Sequence, residues 1–76
     1  MDRECTYKGF HVIARPLPRG DGKWSTEVHI RRGTDVKPYY SSDTWDTEEE
    51  GVRRCLEFGL RIIDGELPGA GAFALP

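Results

Sequence analysis

His11 and His29 are the side chains best suited to metal binding or proton transfer in this chain. Each sits in a stretch of alternating polarity. If those stretches pair as a hairpin in the register that sets Phe10 opposite Ile30, His11 falls opposite His29. Glu27 adds a carboxylate two residues along the same strand, about 7 Å from His29. A metal needs a third ligand converging from elsewhere, and no spacing supplies one, so the reading is a surface histidine pair without metal. Nucleophilic chemistry has no better footing. Ser25, Ser41, Ser42, Cys5 and Cys55 lack an identifiable base with an orienting partner. Asp43, Asp46 and the three glutamates 48–50 read as loop and capping residues rather than an acid/base pair. Gly20-x-Gly22 precedes no helix, so it is a turn and not a phosphate cradle. No catalytic residue, cofactor or small-molecule substrate is expected.

These side chains need elements to hold them. Residues 7–15 read as a strand with Phe10, Val12 and Ala14 on one face and His11, Ile13 and Arg15 on the other. Two prolines and two glycines in 16–22 make a turn, with Asp21-Gly22 its expected tight corner. In residues 23–30, Trp24, Thr26, Val28 and Ile30 alternate with Ser25, Glu27 and His29. Hairpin pairing in the register above joins the two apolar faces, as in an antiparallel sheet covered on one side. Ile13 is the misfit on the wet face. Residues 31–35 form a second turn and 36–41 a third strand. Pro38 cannot donate to a ladder and assigns that strand to an edge, with Tyr39 and Tyr40 on opposite faces.

Thr47-Glu48-Glu49-Glu50 matches a capping box, and its acidic first turn suits the helix dipole. Val52, Cys55, Leu56, Gly59 and Ile63 follow at helical spacing, with Gly65 in the position of a left-handed helix end. At 100° per residue the apolar arc from Phe58 round to Leu60 covers about 200°, wider than one sheet face requires. Trp24 is expected beneath the helix, and Gly59 is expected to admit a large side chain such as Trp24 or Phe10. The expected fold is α+β: a three-stranded antiparallel β-meander followed by one long C-terminal α-helix packed on one face (βββα). Residues 1–6 are expected to be a flexible arm, 7–65 the single domain, and 66–76 a disordered Gly/Ala/Pro-rich tail, unless Phe73 and Leu75 dock on the helix.

Seventy-six residues suit one small domain with little hydrophobic surplus and no room for a separate cofactor fold. No apolar run reaches the roughly 20 residues of a membrane span, and the first residues lack a secretory pattern. The expectation is a soluble, cytoplasmic protein without membrane contact. Cys5 and Cys55 are too few and too distant for a disulfide framework or a zinc ribbon. The net charge of −2 argues against a generic nucleic-acid binder, although residues 3–37 carry eight basic against four acidic side chains.

The pattern Tyr7-x-Gly9-Phe10, Gly22-x-Trp24-x-x-x-Val28-x-Ile30, Thr47-x-Glu49-Glu50 and Ile62-Ile63-Asp64-Gly65 resembles small stand-alone bacterial β-β-β-α domains of unknown function, known from proteobacteria. Members often carry alanine where this chain has Gly51. The resemblance implies a fold and a bacterial origin; it brings no activity and no catalytic residues. Two functional expectations follow from the residues themselves. The first is association with a second copy or another protein, through Phe58, Leu60, Ile62 and Tyr39. The second is weak nucleic-acid contact through Arg15, Arg19, Lys23, Arg31, Arg32 and Lys37, with Tyr40 or Tyr39 stacking a base.

Overall fold

A computed structural model describes residues 3–65 as four strands followed by one helix. The elements are β1 (Arg3–Tyr7), β2 (Phe10–Ala14), β3 (Trp24–Arg32), β4 (Asp35–Trp45) and α1 (Glu48–Ile63). The strands pair antiparallel in the order β1-β2-β3-β4, and α1 packs on one face, chiefly over β2 and β3. The class is α+β as expected, but the sheet has four strands rather than three.

The additional strand comes from a break inside residues 7–15. Lys8 and Gly9 both adopt positive φ, 51° and 83°, between the paired residues Tyr7 and Phe10. That is the two-residue type I′ hairpin turn, whose twist matches that of the flanking strands. Residues 3–6, expected as a loose arm, therefore lie in the edge strand β1. The expected tail, 66–76, lies outside the described residues.

The β2–β3 hairpin keeps its expected faces but is offset by two residues. Val12 pairs with Ile30 and Ala14 with Val28, so His11 stands opposite Arg31 and His29 opposite Ile13. The turn decides the register. Arg19 N–H bonds the Lys23 carbonyl at 2.8 Å and Gly22 N–H the Arg19 carbonyl at 3.1 Å, with Gly22 at φ 84°. This is a three-residue loop ending in a left-handed glycine, centred on Asp21. A two-residue slip leaves every side chain on its own face, so burial alone cannot select between the two registers.

β4 runs on to Trp45, beyond the expected Ser41. The pairing shifts where Thr26 meets Ser41 and Ser25 meets Thr44, which leaves Ser42 and Asp43 as a bulge. Thr26, buried, ties the bulge down: its hydroxyl donates to the Asp43 carbonyl and accepts from Trp45 Nε1, both at 2.8 Å.

Thr47 caps α1, its hydroxyl accepting from Glu50 N–H at 3.1 Å, and Gly65 (φ 73°) follows the helix end as expected. The core comprises Phe10, Val12, Ala14, Val28 and Ile30 from the sheet with Val52, Cys55, Ile62 and Ile63 from the helix. Trp24 and Leu56, expected in it, are half-buried. Gly59 permits the closest approach of helix to sheet. A Cβ there would lie 2.6 Å from Val12 Cγ1 and 3.1 Å from Val28 Cγ2, so two valines occupy the space expected for an aromatic ring.

Candidate interaction surfaces

Pleating divides the functional side chains between two faces. Glu4, Thr6, His11, Ile13, Glu27, His29, Arg31, Val36, Pro38 and Tyr40 share the face opposite α1, where no described element covers them. His11 Nε2 meets the Glu4 carboxylate, while its Nδ1 lies 3.3 Å from the Arg31 guanidinium. His29 Nε2 lies 2.7 Å from Glu27 Oε2. Both ring nitrogens of His11 are thus engaged by neighbours in the sheet, and neither faces a serine or cysteine. Among the described residues no three His, Cys, Asp or Glu side chains converge as a metal site.

Cys55 sits between Gly51 and Gly59 on the helix face that lies closest to the sheet. Its Sγ accepts from Glu27 N–H at 3.4 Å, and burial pushes the thiol pKa up. A thiol so placed is a packing group rather than a nucleophile. Both cysteines are free, and Cys5 is half-buried.

The two edges of the sheet differ. Gly33-Thr34 is a two-residue turn closed by the Arg32–Asp35 pair, and pairs alternate between bonded and non-bonded from there. Val36, Pro38 and Tyr40 fall at the non-bonded positions, so their own backbone groups point away from β3. Pro38 therefore costs the sheet no hydrogen bond and removes the central donor from the free edge of β4. The same count from Lys8-Gly9 puts Glu4 and Thr6 at the outward positions of β1, where no proline interrupts.

A groove of about 560 Å³ runs along α1 and meets β1 at its first residue, Arg3. Leu56 and Leu60 line it, with Arg3 from the strand and Glu49, Glu50, Arg53 and Glu57 among its charged residues. At the far end of β1 the helix is clasped to the first hairpin: Tyr7 O–H donates to the Asp64 carboxylate at 3.0 Å and Lys8 Nζ at 2.6 Å. These two donors, Lys8 first, hold the Asp64 carboxyl below its usual range, and Asp64 raises Lys8 in turn.

The structure separates the residues expected to form an interface. Ile62 is only 3% exposed and belongs to the core, so it is not available to a partner. Phe58 and Leu60 are half-buried against the core, as is Tyr39 on the covered face. Tyr40, 66% exposed, points to the opposite face, as expected. The six cations do not converge. Arg15 and Arg31 share the open face, and Arg19 and Lys23 lie at the far hairpin beside Asp21 (3.5 Å) and Asp46. Arg32 stacks on Phe10 with 5.4 Å to the ring centre, while Lys37 pairs with Ile30 on the helix side.

Sequence reasoning missed Arg3, Glu4, Thr6 and Leu56. Lys8-Gly9 between alternating stretches was the available signal, weakened by a lysine where Asn or Asp is usual. Compared with known protein families, curated proteins and solved structures, the chain matches none. No helix among the described residues is long and apolar enough to cross a membrane.

Proposed function

We propose that this chain is a small non-enzymatic protein-interaction module, offering a partner the free edge of β1 and the groove along α1 that meets it at Arg3. The observation that carries this reading is their adjacency: an uninterrupted strand edge whose first residue, Arg3, lines a groove of about 560 Å³ with Leu56 and Leu60 also in its lining. An edge of this kind accepts an extended segment through backbone hydrogen bonds, and an adjoining groove selects its side chains. The free thiols suit a reducing compartment, which favours the cytoplasm. The scatter of the cations, two of them beside acids, leaves nucleic-acid contact with less support. Capture from native-cell extract with wild type and Thr6→Pro in parallel tests the proposal. Proline at residue 6 removes an outward N–H and leaves the β1–β2 ladder intact. A partner retained by wild type and lost by the variant is expected; equal capture by both refutes the use of this edge.

A further inference from the structure

Resting on that reading, we infer that the occupant of the β1 edge is a second copy of the same chain, added antiparallel about a two-fold axis through Cys5. The register that pairs all five residues of β1 sets Arg3 opposite Tyr7, Glu4 opposite Thr6, and Cys5 opposite its own copy. The outward N–H and C=O groups of Glu4 and Thr6 then meet those of Thr6 and Glu4 across the axis, four backbone hydrogen bonds in all. The charges agree with this register. Arg3 faces the Tyr7 hydroxyl of the other copy, which is bonded to the Asp64 carboxylate. The shorter register centred on residue 4 would oppose two glutamates.

Pro38 closes the alternative route through β4, so one edge of each copy is left for pairing. The product is a continuous eight-stranded sheet with both helices on one face. Each helix lies over β2 and β3, so four strand spacings place the helix axes about 19 Å apart. Direct helix packing requires 8–10 Å. The side chains of Arg3, Cys5 and Tyr7 from both copies therefore floor a shared trough, with Leu56 and Leu60 on its walls.

Sedimentation equilibrium of the purified chain tests this, with the expectation of a species twice the 8.6 kDa chain mass. Thr6→Pro removes two donors per dimer and should weaken association about 30-fold while leaving the circular dichroism unchanged. Cys5 pairs at a non-bonded position with Cα atoms about 4.5 Å apart, within disulfide reach. Diamide, which takes up the two electrons and two protons of a thiol pair, should join wild-type chains and leave Cys5→Ser unjoined. A monomer at every concentration overturns the self-pairing, as does a dimer indifferent to Thr6→Pro. If the chain is monomeric yet captures another protein through an edge sensitive to Thr6→Pro, the second copy is excluded and the interaction module stands. Residues 66–76 seated on β1 would likewise give a monomer.

Discussion

Gly59→Ala probes the closest contact between helix and sheet. The added methyl would lie 2.6 Å from Val12 Cγ1, about 1 Å inside normal carbon–carbon contact. Val12 is fully buried and β-branched, so it has little freedom to turn aside. The helix must lift, loosening Gly51 and Cys55 along the same line. Overpacking of this kind costs about 1–3 kcal/mol, and the better helix propensity of alanine returns about 1. A contact as short as 2.6 Å falls in the upper part of that range, about 2–3 kcal/mol, so the expected net loss is about 1–2 kcal/mol, seen in urea denaturation followed by circular dichroism. At this chain length each kcal/mol lowers the melting temperature by about 4–8 °C. Val12→Ala should relieve the clash, so the double variant loses less than the sum of the singles. Gly51→Ala is the control. Its Cβ would meet Pro16 Cβ at 3.2 Å and Trp24 Cβ at 3.4 Å, so propensity and crowding nearly cancel. A Gly59→Ala protein as stable as wild type, or strict additivity with Val12→Ala, would refute the close-approach argument.

Thr26→Val keeps the shape of a buried residue but strips the Trp45 indole N–H and the Asp43 carbonyl of their partner. A loss of about 1–3 kcal/mol in the same denaturation assay is expected, and a neutral result would show that water replaces the hydroxyl. Asp64→Asn should flatten the acid limb of the stability profile. The carboxyl of Asp64 is held below its ordinary 3.8, so its contribution is complete above about pH 4 and fades as pH falls through the lowered value. Lys8, raised above 10.5, contributes fully below that pH and loses its share only as pH rises beyond it. Identical acid limbs for wild type and variant would dismiss the clasp. With a thiol reagent, Cys5 should react in the folded chain and Cys55 only on unfolding, because Cys55 is fully buried; equal rates would contradict its place in the core.

Face assignments were legible from the residues because burial acts directly on period-2 and period-3.6 patterns. Phe10, Val12, Val28 and Ile30 fall on the covered face by their alternation, and Thr47 and Gly65 at the helix ends by the capping box and the glycine that follows the last helical residues. The misses share one cause: they depend on turns rather than on faces. The register of β2 against β3 is displaced by two, which no hydrophobic pattern detects, because the loop is centred on Asp21 and not on Gly20. The break at Lys8-Gly9 is hidden because only Tyr7 of the expected strand precedes it, too little to show the change of face that puts Tyr7 beside Phe10. β4 was cut short because Ser42 and Asp43 resemble the end of a strand, although as a bulge they let Trp45 reach Thr26.

The candidate site was less legible for a further reason: it is made of backbone. Which N–H groups of β1 point outward depends on the count of pairs from Lys8-Gly9, and no side chain reports it. Width of apolar arc, the signal read from the helix, does not separate a covered flank from a free one. Ile62 and Leu60 both lie on that arc, yet the first fills the core and the second lines the groove. Position across the sheet separates them, since α1 lies over β2 and β3 and Leu60 falls on the helix flank that also lines the groove with Arg3 of β1. A chain short of core gains most from covering that flank, and the edge left without a proline is the one beside it. The argument for association therefore passes from the greasy arc to the asymmetry of the sheet, where Pro38 guards one margin and nothing described guards the other.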